Sequence, residues 1–290
     1  MNKILYNTLP SNIKKDFNSE KFNSSSYFQR KISNGKSSKE ININSYSNIL
    51  RNEIIRLIEK KKIISENIRL EELHKRLNKS MKDYNLVNGV NKISQMFYDN
   101  DNDFKKVYFS FIKYISKKFF KFPFYFQTTP TIRFQCPDGK NNNHYPRYHN
   151  DIAYGHPFEE INLWIPLTKK SKVEKHGFRI LNLNNSKKII KRYQYNLDNF
   201  VNDCINKRKI NFKYHKLSSR VNVEYGKMLA FDSRCLHTGE AMLNQTRVSI
   251  DIRIIPVYEY KKLKYKHQGM GKRKILFAPG QCYFKSSIKN

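Results

Sequence analysis

The sequence contains no uninterrupted apolar stretch of the roughly 18 to 20 residues that a membrane-crossing helix requires, so no helical span is read from it. Its opening segment, MNKILYNTLPSNIKKDF, lacks the apolar centre of a secretory signal. Cysteine is sparse. Cys136, Cys204, Cys235 and Cys282 stand far apart with no CxxC pair, so neither a zinc cluster nor a disulfide framework is indicated. A reducing cytoplasm is the compartment these absences predict. Acidic residues are also few, 24 against 56 Lys and Arg, which leaves a net charge of +32. Such an excess commonly marks a nucleic-acid or anionic-surface partner. Here the lysines are spread along the whole chain among many Asn and Ile, the mixture produced by AT-rich coding, and no basic stripe interleaved with aromatics stands out. A nucleic-acid partner is therefore not favoured. The acidic run Asp99, Asp101 and Asp103 lacks the Gly and the distant Glu of a calcium loop, and helix capping accounts for it better.

What is present suffices for one globular domain: 290 residues, of which 39% are hydrophobic and 14% aromatic. Residues 1–44 are rich in Ser, Asn and Lys and predict a loosely ordered arm, with Tyr27 and Phe28 as candidate docking side chains. From Ser47 the spacing of Leu50, Ile54, Leu57 and Ile58 predicts a helix. A second follows Ser65 with the stripe Leu70, Leu73 and Leu77, and His74 lies beside that stripe as a surface or satisfied helix residue. Val90, Ile93, Met96 and Phe97 allow a short helix. Phe104, Val107, Phe111, Tyr114 and Ile115 mark a strong one. After Lys121 the period drops from 3.6 towards 2, in FPFYFQ and TIRFQC, which predicts two strands. Helices first and strands after give an α+β class.

The densest stretch is Tyr145 to Thr168, YPRYHNDIAYGHPFEEINLWIPLT. His149 and Asp151 stand two apart, so an extended segment would put both on one face, where an imidazole and a carboxylate can grip one cation. His237, closing the strand-like run KMLAFDSRCLH, is the best third ligand. Two His and a carboxylate form the facial triad of non-haem Fe(II). Ten residues on, RVSIDIRII places Arg247, Ser249, Asp251 and Arg253 on one face and Val248, Ile250, Ile252 and Ile254 on the other. That alternation fits a solvent-facing polar side. It fits equally a polar barrel interior, in which Arg247 and Ser249 hold a carboxylate by a charge-assisted pair and a hydroxyl bond.

From His149 and Asp151 as HxD, His237 as distal ligand, Arg247 ten beyond and Ser249 completing RxS, the chain resembles the Fe(II)- and 2-oxoglutarate-dependent dioxygenases. It is most similar to their streptomycin-biosynthesis-type branch of small-molecule hydroxylases. The likeness runs from about Phe124 to Pro256 and includes YGHPFEEINLWIPLT and YGKMLAFDSRCLHTGEAMLNQTRVSIDIRIIP. It implies a double-stranded β-helix, the cupin-like jelly roll, of about eight strands with the N-terminal helices on its outer sheet. It implies Fe(II), 2-oxoglutarate and O2 as cofactors, with Asn162 bonding 2-oxoglutarate. The reaction implied is hydroxylation of a small sugar-, amino-acid- or secondary-metabolite-like molecule, with release of succinate and CO2.

On this basis residues 45–260 form one dioxygenase domain: helices over 45–120, then a jelly-roll core over 121–258 carrying a helical insertion at about 169–219. In that insertion GFRILNL predicts a short strand and Leu197, Phe200, Val201, Cys204 and Ile205 an amphipathic helix that could serve as a lid. Residues 261–290 form a basic tail wrapping back through Ile275, Leu276, Phe277, Tyr283 and Phe284. Tyr154, His156, Glu160 and Arg133 are candidate substrate contacts, although for His156 a structural hydrogen bond fits as well. His144 belongs to an exposed loop, Trp164 to packing, and Cys235 to the buried core. Two alternatives stand beside this. Arg247 and Arg253, six apart, resemble the paired arginines of the nucleic-acid-demethylating dioxygenases, although no base-stacking motif accompanies them. A jelly-roll binding protein without catalysis is the other, and it would be marked by a missing ligand.

Overall fold

A chain that alternates polar and apolar residues needs a different neighbour on each face, and the computed structural model supplies both. It describes residues 19–64, 69–85, 90–98, 101–137, 147–154, 156–169, 177–240, 242–262 and 283–286. In chain order the longer strands are β1 (Ser38–Asn42), β2 (Phe124–Gln127), β3 (Thr131–Gln135), β4 (Ile161–Pro166), β5 (Phe178–Ile180), β6 (Lys227–Asp232), β7 (His237–Gly239), β8 (Arg247–Pro256) and β9 (Tyr283–Lys285). The longer helices are α1 (Asn44–Lys60), α2 (Asn102–Ile115), α3 (Leu183–Arg192), α4 (Leu197–Asn206) and α5 (Arg208–Leu217).

The larger sheet runs β1-β6-β4-β8-β2-β9, with β3 on the first half of β8. A smaller sheet runs β7-β5 and then Ser219–Arg220. Every pairing between these strands is antiparallel. Val248, Ile250, Ile252 and Ile254 of β8 join Leu163, Ile165, Ile132 and Phe134 in one buried core with Leu50, Ile54 and Leu57 of α1 and Phe104, Tyr108 and Phe111 of α2. The helices thus cover the apolar face of the larger sheet. The opposite face meets the smaller sheet, where Trp164 stacks on Phe178 with ring centroids 5.2 Å apart beside Leu229 and Phe231.

Local signals fix the helix ends. Asp101 caps α2 by accepting from the Phe104 N–H at 2.8 Å, as the capping expectation had it, and its carboxylate also pairs with Arg56 and Lys60. Asp99 lies outside the described residues. The first helix begins at Asn44 rather than Ser47. The stripe of Leu70 and Leu73 is buried but forms a 3-10 turn, Leu70–Lys75, pinned where the His74 N–H meets Thr246 Oγ1. The single helix expected in the insertion is accompanied by two others, α3 and α5. Ile189, Leu197, Phe200 and Tyr214 from all three close over Tyr148 and Ile152 in a second core.

Residues 19–44 depart from the loose arm expected of them. Short helices Ser19–Asn23 and Tyr27–Lys31 lead into β1, with Phe22 and Phe28 buried. The reason is tertiary. Arg234, fully buried, pairs with Asp232 at 2.7 Å and donates to the carbonyls of Phe22 and Ser24 and to Gln29 Oε1. A Ser/Asn/Lys-rich segment carries no periodic signal of such a clasp. At the other end Tyr283 is buried and β9 pairs with β2, while Ile275, Leu276 and Phe277 lie outside the described residues.

Arg234→Ala leaves Asp232 buried without its cation, which costs about 3–5 kcal/mol in such sites. Urea unfolding should show a loss of that order, and Asp232→Asn in the same chain should recover part of it. An unchanged midpoint in Arg234→Ala would mean the clasp does not hold the segment.

Candidate metal centre

His149 lies opposite His237 in a reciprocal antiparallel bridge: His237 N–H donates to the His149 carbonyl at 2.8 Å, and His149 N–H donates back at 3.1 Å. Directly paired residues project to one side, so the two rings come together with centroids 4.4 Å apart. The extended HxD geometry expected from spacing is not what brings in the carboxylate. Asp151 starts a 3-10 turn, Asp151–Tyr154, and the chain curls so that its side chain reaches the two rings. One ligand atom each from His149, Asp151 and His237 then lies within 4.8 Å of the others.

The tautomers are set by the backbone. Nδ1 of His149 lies 3.1 Å from the Arg147 carbonyl, and Nδ1 of His237 lies 3.0 Å from the Cys235 carbonyl. A carbonyl only accepts, so both Nδ1 atoms carry the proton and the ring lone pair of each imidazole sits on Nε2. Burial, reinforced by the neighbouring His237, pushes His149 down to about 3, and burial also lowers His237. For Asp151, burial alone would raise the pKa, but Arg253 and the two nearby histidines, His237 and His156, outweigh it and hold the carboxyl well below its usual range. Arg253 grips Asp151 with two bonds, Nε to Oδ2 at 2.9 Å and Nη2 to Oδ1 at 3.2 Å. Two neutral imidazoles and an ionised carboxylate are the donor set a divalent transition metal takes.

The polar face of β8 is turned inward, which decides between the two alternatives its alternation left open. Arg247 is 2% and Ser249 0% exposed. Arg247 donates to the Gly177 carbonyl at 3.0 Å and lies over the Trp164 ring. Nearby on the facing strands are buried polar atoms with no hydrogen-bond partner among the described residues: Ser249 Oγ, both amide atoms of Asn162, and Gln135 Oε1. Gln135 is opposite Arg247 in the β3 register, and Asn162 is opposite Arg253 in the β4 register. Unsatisfied buried polar groups beside a buried guanidinium fit an anionic, hydrogen-bonding ligand.

The other candidates divide. Arg133 binds Asp251 through Nε and keeps 37% of its side chain exposed. His156 and Glu160 face away from solvent: His156 Nδ1 is 2.9 Å from Glu160 Oε2, and Glu160 Oε1 accepts from Tyr283 at 2.9 Å. That closed pairing suits holding the 156–160 loop rather than meeting a substrate. The Tyr154 side chain and His144 lie outside the described residues. Sequence reasoning overlooked the Arg253–Asp151 pair, whose only signal was that Arg253 shares a face with Arg247. Gln135, which shares a strand face with Arg133 and on that ground is expected at the barrel mouth, lies opposite Arg247; Tyr283 was overlooked, hidden by its distance along the chain.

No protein-family model matches the chain, and no curated protein matches it in sequence. Solved structures do. The non-haem α-ketoglutarate-dependent carbocyclase SnoK from nogalamycin biosynthesis aligns over 92% of this chain and 98% of its own, with TM-score 0.50 and 12% identity. The shared feature is the fold. HygX from Streptomyces hygroscopicus, crystallised with nickel and 2-oxoglutarate, aligns over 81% of this chain and 88% of its own, with TM-score 0.42 and 11% identity.

Because His149 and His237 have lowered pKa values, the unfolded chain binds protons that the folded chain refuses once pH falls below the ordinary histidine value of about 6.5. Folding stability should therefore drop between pH 7 and pH 5, by up to about 1.4 kcal/mol per pH unit for each histidine. His149→Gln should flatten that slope, measured as urea midpoints across the range. An identical slope in the variant would contradict the buried neutral imidazole.

Proposed function

We propose that the chain is an Fe(II)- and 2-oxoglutarate-dependent dioxygenase that hydroxylates a small molecule. The two packed sheets are read as the halves of a double-stranded β-helix, within a domain spanning 45–260. The observation that carries the proposal is the convergence of His149, Asp151 and His237 beside buried Arg247 and the unpartnered polar atoms of Ser249 and Asn162. His149 and His237 would hold iron through Nε2, and Asp151 through a carboxylate oxygen. Arg247 and Ser249 would take the far carboxylate of 2-oxoglutarate, with Asn162 bonding its near end.

Fe(II) and 2-oxoglutarate, when bound, would supply the oxidising power, with one atom of O2 ending in succinate beside released CO2 and the other in the hydroxylated product. The chain's own residues do the rest. The carbonyls of Arg147 and Cys235 keep the imidazole Nδ1 atoms protonated and the rings oriented. Arg253 keeps Asp151 ionised and fixes its carboxylate plane. Phe178 and Phe231, packed 5.7 Å and 5.3 Å from the His237 ring, exclude water from that side. Arg133 is the substrate contact retained from the sequence, because its guanidinium is still reachable.

Anaerobic titration with Fe(II) and then 2-oxoglutarate should give a visible charge-transfer band in the wild type and none in His149→Ala. A wild type that binds neither would reject the assignment. Arg247→Met should raise the 2-oxoglutarate concentration for half-maximal succinate release by about tenfold or more, since a charge-assisted clamp is lost. Fe(II) affinity without cosubstrate should be unaltered, and an equal cosubstrate requirement would reject the clamp.

A further inference from the structure

Helix α5 is amphipathic in an unusual sense: its outer half is basic and apolar at once. At about 100° per residue, Arg208, Phe212, Lys216, Lys209, Lys213 and Leu217 fall on one half of the helix, and all six are exposed. Asn211 and Tyr214, on the other half, are buried. Phe212 is 53% and Leu217 48% exposed, two of only six large apolar side chains so exposed among the described residues. No acidic residue interrupts the helix, and Lys209, Lys213 and Lys216 have no ion-pair partner among the described residues. The outward half therefore places three lysines and two large apolar groups on one surface.

The buried half is tied to the metal centre. Asn211 Oδ1 accepts from the Tyr148 N–H at 2.9 Å, and the Tyr214 ring packs edge-on to Tyr148 with centroids 6.1 Å apart. Tyr148 Oη and Ser218 Oγ, just past the helix, share a hydrogen bond. Tyr148 immediately precedes His149, so whatever α5 rests on also holds the segment carrying that imidazole.

We propose that the outer face of α5 docks the protein on an anionic membrane surface. The lysines meet lipid phosphates and carboxylates while Phe212 and Leu217 enter the boundary between headgroups and acyl chains. Charge complementarity selects an anionic partner. Two exposed apolar side chains among the lysines, one of them aliphatic, select a surface with an apolar interior over a nucleic-acid duplex, whose stacked bases are closed to such a face. No helix of the described residues is long and apolar enough to cross a membrane; the contact proposed for α5 is with the surface.

The test is co-sedimentation of the full chain with vesicles of phosphatidylcholine alone and of phosphatidylcholine mixed with enough phosphatidylserine to give the surface potential of an anionic leaflet, about −30 mV. Wild type should bind the anionic vesicles and not the neutral ones. The protein is basic throughout, so two triple variants separate a local face from net charge: K209Q/K213Q/K216Q, and K106Q/K113Q/K117Q, which removes as many exposed lysines from α2 and the turn after it. The first should weaken binding about tenfold or more, and the second far less. F212S/L217S, which leaves the charge unaltered, should also weaken vesicle binding severalfold, while its thermal unfolding should match the wild type because both side chains are exposed. Equal losses in the two triple variants would assign the effect to net charge and overturn the proposal. So would vesicle binding untouched by F212S/L217S, or binding of a DNA duplex that α5 governs while vesicles do not bind.

Discussion

Strand β8 has to satisfy two incompatible solvents at once. Its ten residues pair with β3, β4 and β2, so it has no free edge, and its pleat sends alternate side chains to opposite sides. One side is all branched aliphatic and is covered by α1 and α2. The other carries Arg247, Ser249, Asp251 and Arg253 into the interior, where a guanidinium is tolerated only if something negative or polar meets it. Asp251 meets Arg133, Asp151 meets Arg253, and Arg247 meets a carbonyl and an aromatic face. A one-residue slip of β8 would bury four polar groups in the helical core and expose four aliphatics between the sheets, so the register is strongly fixed.

Because of that constraint much of the site could be read from the chain. Parity along RVSIDIRII puts Arg247 and Ser249 together whatever the rest does, and the hydrophobic period of α1 and α2 is strong enough to survive packing. What escaped was of two kinds. Asp151 reaches the imidazoles through a 3-10 turn, and a two-residue spacing does not distinguish a turn from a strand. The other kind is contact at long separation: Arg234 with Phe22 and Ser24, Tyr283 with Glu160, Arg253 with Asp151. No local pattern encodes these, since the partners stand a hundred residues or more apart along the chain.

The electrostatic picture of the whole chain and that of its centre differ in sign of purpose. Outside, the +32 charge is diffuse. Inside, nearly every charge at the centre has a named counterpart at hydrogen-bond distance, and the two imidazoles are neutral. A cation arriving at His149, Asp151 and His237 meets one ionised carboxylate already shared with Arg253, so binding it requires Asp151 to divide its oxygens between a guanidinium and the metal. That arrangement favours a metal held chiefly by imidazole nitrogen over a hard cation seeking several oxygens.

The loop between Asp151 and β4 is held by residues that lie far before it and far after it in sequence. The Tyr27 N–H donates to Glu159 Oε2 at 2.7 Å, and the Tyr283 hydroxyl donates to the adjacent Glu160. During synthesis the N-terminal contact can form as soon as the loop emerges. The other must wait until Tyr283, 123 residues beyond Glu160, has been made. A chain that stops short of Tyr283 keeps only the first of these bonds, so the segment that follows Asp151 is then braced from one side alone.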